Sequence, residues 1–204
     1  MATRSVVATD NFNRADGALG ANWSEAATAY TDNQPVIASN EAKSGGEGSY
    51  DNASYWSANP FANAQYSKAK ISVLPSSGTS LMGVIVRANA SDYCLCQYKR
   101  DSGSNKSRIY WFNGGAYTVI ALQNTTTFAS GDTIEIEVEG TTYTMFKNGV
   151  SILSGANGSA PATGSAGITL YDLDERLDDW EGGDMVSAST VVKDMIGGFI
   201  PFAR

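Results

Sequence analysis

Glu135, Glu137 and Glu139 alternate with Ile136 and Val138, and their type and spacing are the first feature of this chain that could do chemistry. Glycoside hydrolysis needs two Asp or Glu side chains flanking the scissile bond, about 5–5.5 Å apart for retention and further apart for inversion. Same-face neighbours on a strand lie roughly 6.5–7 Å apart at the Cα. A hydrolase using Glu135 with Glu137 or Glu139 is therefore admissible. The competing reading is a sheet face whose glutamates keep a strand soluble and unpaired with other chains. The turn signals at Gly140 and Asn148-Gly149 favour that second reading, because they continue the strand into a plain meander.

Other chemistry is constrained by what the chain lacks. It contains no histidine, which excludes Ser and Cys nucleophiles that rely on an imidazole base. No phosphate-cradling glycine loop or dinucleotide fingerprint is present. Ten Tyr, seven Phe and four Trp could instead build a sugar platform, since aromatic rings stack on the apolar faces of sugars. Trp56, Trp111 and Tyr117 are the candidates, beside Tyr55 and Tyr110; ordinary sandwich core is the competing use of these rings. In Tyr110-Trp111-Phe112 neighbours point to opposite faces, so at least one ring looks outward. Arg87, ending the apolar run Leu81–Val86, would fork onto a ligand carboxylate or pair with an acidic neighbour. Asp172, Asp174, Glu175, Asp178 and Asp179 form an acidic loop that admits calcium, although the glycine-marked loop of a helical calcium site is missing. No catalytic residue, resident metal or cofactor is otherwise expected. Cys94 and Cys96, two apart on one strand, are expected to be reduced and buried.

These groups must be positioned by strands. The chain has 204 residues and a formal net charge of −7. That length suits one large all-β domain, and the acidic balance argues against nucleic acid. The nearest basic cluster, Lys99, Arg100, Lys106 and Arg108, reads as a solvated loop. No stretch is long and apolar enough for a membrane span. At the start, Arg4 is followed only by Val6-Val7-Ala8, too little for a secretory leader, so synthesis and folding in the cytoplasm are expected.

Period-two patterning predicts strands near 5–9, 35–39, 65–74, 80–88, 93–99, 108–112, 117–123, 133–139, 142–147, 150–153, 167–171 and 185–193. Polar turns are predicted at 75–78, 101–105 and 113–115, and single helical turns near Ala26 and over 191–196. The expected class is an all-β, two-sheet antiparallel β-sandwich of jelly-roll type, with one domain over 1–186. Residues 187–204 supply the end of a last strand and a tail in which Phe199, Ile200, Pro201 and Phe202 are apolar.

Asp10-Asn11-Phe12-Asn13-Arg14-Ala15-Asp16-Gly17, then Leu19-Gly20 and Asn22-Trp23, resembles the opening of concanavalin A-like (laminin G-like) β-sandwich domains of bacterial and phage proteins. Gly131–Val138 with Lys147-Asn148-Gly149 is similar to their paired strands, and Ala166-Gly167-Ile168 with Leu177–Trp180 to their closing ones. The resemblance implies lectins, glucanases, adhesion modules and virion proteins as relatives. With the poor catalytic constellations, it favours a non-catalytic phage virion component, a capsid decoration or tail-associated protein. Such a protein would be made in the host cytoplasm and displayed on the virion surface. Its partners would be other virion proteins and itself, with Phe199–Phe202 as an assembly anchor. The alternative is a carbohydrate-binding module engaging a cell-surface glycan; the third reading is the paired-glutamate hydrolase.

Overall fold

The computed structural model describes residues 3–27, 33–46, 51–75, 80–101 and 105–186. Among them are sixteen strands and no helix. In chain order these are β1 (Thr3–Asp10), β2 (Gly17–Ala18), β3 (Trp23–Glu25), β4 (Val36–Ala38), β5 (Glu41–Lys43), β6 (Asn52–Trp56), β7 (Gln65–Val73) and β8 (Ser80–Ala88). They continue with β9 (Asp92–Arg100), β10 (Lys106–Asn113), β11 (Ala116–Gln123), β12 (Thr133–Glu139), β13 (Thr142–Lys147), β14 (Val150–Ala156), β15 (Ser165–Leu170) and β16 (Arg176–Val186). All the ladders are antiparallel. A nine-stranded sheet runs β14-β13-β12-β7-β16-β5-β4-β2, with β1 also on β16. A seven-stranded sheet runs β11-β10-β9-β8-β15-β6-β3. The expected two-sheet sandwich is what the chain forms.

The core between the sheets comes from alternation. Ile134, Ile136 and Val138 of β12 face Met82, Val84 and Val86 of β8 and Cys94, Cys96 and Tyr98 of β9 across one apolar interior. The seven-stranded sheet is buried on its other side too. Ala26, Ala27, Ala53, Ile85, Ala88, Tyr93, Leu95 and Phe112 form a second apolar cluster on that outer face. Hence every residue of β8 is buried. Burial on both faces explains why β8 reads as a continuous apolar run in the sequence.

Several expectations need correcting. Ala26 and Ala27 make no helical turn. Their amides bond to the carbonyls of Ala53 and Asn89, and Ala27 has φ of 52°, so the chain folds over the sheet instead. Strands β2, β3, β5 and β6 were not anticipated; they are two to five residues long, too short for a period to show. The closing strand β16 begins at Arg176, well before the expected 185, with irregular register at two places along β7. Asp178 and Asp179 therefore lie on the closing strand, as the resemblance of Leu177–Trp180 implied, and outside the acidic loop. Lys99 and Arg108 stand on β9 and β10, within the strands expected over 93–99 and 108–112, and Lys106 joins them on β10 instead of lying in a loop. Most of the turns predicted at 75–78 and 101–105, the helical turn over 191–196, and Phe199, Ile200, Pro201 and Phe202 lie outside the described residues.

At one corner the sheets are locked by three tryptophans. Trp23 (β3) and Trp56 (β6) belong to the seven-stranded sheet, Trp180 (β16) to the nine-stranded one. The Trp23 ring lies 5.5 Å from Trp56 and 4.7 Å from Trp180, and Phe12 flanks it at 6.1 Å. The indole Nε1 of Trp23 donates to Asp10 at 2.8 Å across the sheets. The same carboxylate accepts from the amide of Phe12 at 2.8 Å and from both guanidinium nitrogens of Arg14, at 2.7 and 2.9 Å. Trp180 donates to Ser67 at 3.0 Å, and Ser67 passes its own proton to the carbonyl of Gly167 on the opposite sheet, at 2.7 Å. The opening motif of the sequence is thus a structural clasp. Asp10→Ala removes the acceptor of the buried Trp23 indole N–H; chemical unfolding followed by tryptophan fluorescence is expected to read a loss of roughly 1–3 kcal/mol.

Candidate functional site

The glutamate row lies on the outer face of the nine-stranded sheet and is closed by an arginine. Arg4 Nε donates to Glu137 Oε1 at 2.9 Å, and Nη2 reaches both Glu135 and Glu137. The guanidinium also sits 5.1 Å over the Tyr66 ring. Glu135 is buried, and burial pushes its carboxyl above the usual range while Arg4 pulls it back. A substrate oxygen would have to displace Arg4 from the space between the two carboxylates. The edge-protection reading does not hold either, because β12 is interior, flanked by β7 and β13.

The other sequence candidates are scattered. Trp56 is in the tryptophan corner, with Nε1 donating to Asn59 at 3.1 Å. Trp111 is half-buried against the core between the sheets, its indole N–H without a partner among the described residues. Arg87 is buried and inward. Its backbone takes φ of 52°, in the region that favours glycine, and this turns the side chain away from the strand's alternation. It donates to the carbonyls of Asn63, Pro161 and Gly140 and to the Tyr143 hydroxyl. With those bonds made, it offers no fork to a ligand and pairs with none of the described carboxylates. Tyr117 alone of the four stands on an outer sheet face.

That face belongs to the seven-stranded sheet, and Tyr117 has company there. Its side-chain rows follow from register. Arg108 pairs with Gln97, which pairs with Gly83 and then Thr169; Tyr110 pairs with Leu95 and Val119; Phe112 pairs with Tyr93 and Tyr117. A Cβ on Gly83 would lie 1.9 Å from the carbonyl oxygen of Cys96, and one on Gly167 2.1 Å from that of Ser54. Both positions are therefore restricted to glycine by the close approach of the neighbouring backbone. Asp51, just before β6, reaches across this face. Its Oδ2 accepts from Gln97 Nε2 at 2.9 Å and from the Tyr117 hydroxyl at 3.1 Å. Gln97 Oε1 in turn accepts from Arg108 Nε at 2.8 Å and from Nη2. Burial pushes the Asp51 carboxyl upward, against the pull of Arg108 and the two hydrogen bonds.

The outward end of this relay is aromatic. Arg108 lies 4.8 Å over the Tyr110 ring; Tyr110 and Tyr117 are 6.0 Å apart; Phe112 meets Tyr117 edge-on at 4.9 Å and stacks on Tyr93 at the same spacing. Tyr117 is 37% exposed and Val119 58%, while Asp51 and Gln97 are buried beneath. The result is a strip of ring faces with hydrogen-bonding groups fixed under it, suited to a ligand with apolar C–H faces and hydroxyls. Asp51, Gln97 and Tyr110 were absent from the sequence candidates or secondary to them. The one usable signal was the alternation in Arg108-Ile109-Tyr110-Trp111-Phe112, which puts Arg108, Tyr110 and Phe112 on a single face.

Among the described residues no group of Cys, Asp or Glu could hold a metal ion. The acidic loop is instead stapled by Glu175, which is buried and accepts from the amides of Leu81, Tyr171 and Asp172. Cys94 and Cys96 are free and buried, and burial pushes the Cys94 thiol up to about 11.

No family model and no curated protein matches the sequence. Solved structures match in fold. The carbohydrate-binding module CBM66 from Bacillus subtilis aligns with a TM-score of 0.59 at 15% identity, over 81% of this chain and 98% of that one. A protein of unknown function with a galectin-like fold, also from Bacillus subtilis, aligns with 0.65 at 11%, over 91% and 99%. The CBM2 module of the evolved Dit of Lactobacillus casei BL23 phage J-1 aligns with 0.61 at 9%, over 91% and 98%. These likenesses show the β-sandwich fold; the matched structures are a galectin-like protein and carbohydrate-binding modules, where the sequence resemblance named the concanavalin A-like group.

Burial raises the Glu175 carboxyl to about 7, above its ordinary 4.5. The folded chain therefore binds more protons than the unfolded one between those values, and stability falls as pH rises through that window. The loss is on the order of 3 kcal/mol. Unfolding midpoints measured from pH 4.5 to 8 should show this slope, and Glu175→Gln should flatten it.

Proposed function

We propose that this chain is a non-catalytic carbohydrate-binding module whose ligand lies along β10 and β11. The observation that carries the reading is the exposed Tyr117 ring with the half-buried Tyr110 beside it, held over the buried Asp51–Gln97 pair and its Arg108 donor. Stacked rings supply contact area at little entropy cost, and the fixed polar groups orient the hydroxyls. The fold similarity to CBM66 and to the phage Dit module supports it. Arg4 across Glu135 and Glu137 argues against hydrolysis.

A glycan array followed by calorimetry tests this. Tyr117→Ala is expected to weaken binding by at least about tenfold while leaving the melting temperature within a few degrees. Trp111→Ala, in contrast, should lower stability more than affinity. Affinity unchanged in both Tyr110→Ala and Tyr117→Ala would remove this face from consideration.

A second reading places such a module in a phage particle, as a tail-associated or capsid-decorating component on the virion surface. The similarity to a module of a phage Dit favours it. In that setting Phe199, Ile200, Pro201 and Phe202 anchor the chain to a neighbour. Truncation after residue 193 should then abolish incorporation into particles and spare glycan binding; full incorporation of the truncated chain would sink the anchor.

A further inference from the structure

The cations of this protein are distributed unevenly between its two outer faces. On the nine-stranded sheet Arg4 pairs with Glu135 and Glu137, Lys68 with Glu181 and Lys70 with Asp179, while Lys43 and Arg176 make no ion pair with a described carboxylate. On the seven-stranded sheet Lys99 and Lys106 stand directly opposite each other on β9 and β10, and Arg108 follows Lys106 on the same face. Like charges in direct cross-strand register are destabilising. Lys99 is partly relieved by Asp101 at 3.0 Å. Neither Lys106 nor Arg108 makes an ion pair with any described carboxylate. Arg108 spends Nε and Nη2 on the neutral amide of Gln97, which leaves Nη1 and the outer edge of the guanidinium for a ligand. Asp51 is buried under the strip and is reached from Arg108 only through the Gln97 amide, so Arg108 makes no direct ion pair with it.

In a chain of net charge −7, a cationic patch that continues directly into an aromatic strip calls for a ligand that brings the missing anion. We infer that the glycan bound here is acidic, a polysaccharide carrying carboxylate, sulfate or phosphate groups. Its ring faces lie on Tyr110 and Tyr117, and its anion meets Arg108 and Lys106. An arginine edge matches a planar carboxylate or a tetrahedral oxyanion in two-point fashion, and Lys106 adds a point charge beside it. This inference rests on the carbohydrate-binding reading and adds the class of glycan to it.

Calorimetry or affinity electrophoresis on paired polymers tests it: polygalacturonate against its methyl-esterified form, dextran sulfate against dextran, and a glycerol-phosphate teichoic acid against neutral glucan. At least one charged member is expected to bind about tenfold or more tighter than its neutral partner. Raising salt from about 50 to 500 mM should weaken that binding several-fold. Lys106→Gln and Arg108→Gln should each reduce the charged-over-neutral preference, with Lys43→Gln on the other sheet as the unaffected control. Tyr117→Ala should weaken the charged polymer as well, which separates a built site from diffuse polyanion attraction. Neutral glycans bound as tightly as their charged partners, without salt dependence, overturn the acidic assignment and leave the carbohydrate reading standing. Charged polymers held equally by the Lys106 and Arg108 variants overturn it as well. If neither set binds, the carbohydrate reading fails and the acidic assignment falls with it.

Discussion

The hydrogen bond from the Trp23 indole to Asp10 joins the two sheets, and the candidate site depends on it indirectly. Trp23 fixes β3, and Trp56 fixes β6 beside it. Those two strands form one margin of the seven-stranded sheet. From their ends spring the segments that cover its outer face: Ala26 and Ala27 just after β3, and Asp51 just before β6. A carboxylate in the opening motif thus helps decide where a side chain forty residues later comes to rest. The sandwich is closed again on the far side of the same corner by Trp180, Ser67 and Gly167.

Much of the fold was legible in the sequence, and the illegible parts share a cause. Strands buried on one face, such as β12, alternate and announce themselves. Strand β9 is buried on both faces, so its alternation is hidden, although its β-rich composition still marked it. Strands β2, β3, β5 and β6 are too short to show a period, yet β6 and its neighbour Asp51 are where the relay is built. Alternation in Tyr110-Trp111-Phe112 said that some ring must point outward. Which ring does so is set by the core, which takes Trp111, and that is tertiary information. Lys106 read as part of a solvated loop because its neighbours Asn105 and Ser107 are polar; pairing with β9 brings it onto the same face as Arg108.

The two outer faces illustrate how little a shared fold fixes. Both are sheet surfaces with carboxylates, basic groups and aromatic rings. On one, Arg4, Lys68 and Lys70 close the charges among themselves. On the other, the acid is buried beside a glutamine and the Tyr117 ring is left exposed. Function on a β-sandwich belongs to such local arrangements and not to the architecture that carries them.

Arg87 has a different consequence. Its guanidinium gathers the carbonyl of Asn63 ahead of β7, that of Gly140 between β12 and β13, and that of Pro161 ahead of β15. Three loops far apart in the chain share one buried donor, so opening any of them leaves part of a buried guanidinium without its acceptor. Loops at the ends of sandwiches usually fray singly, on fast timescales and at little free-energy cost. Here that end of the molecule is coupled into a single cooperative unit, and its amides should exchange with solvent together rather than loop by loop.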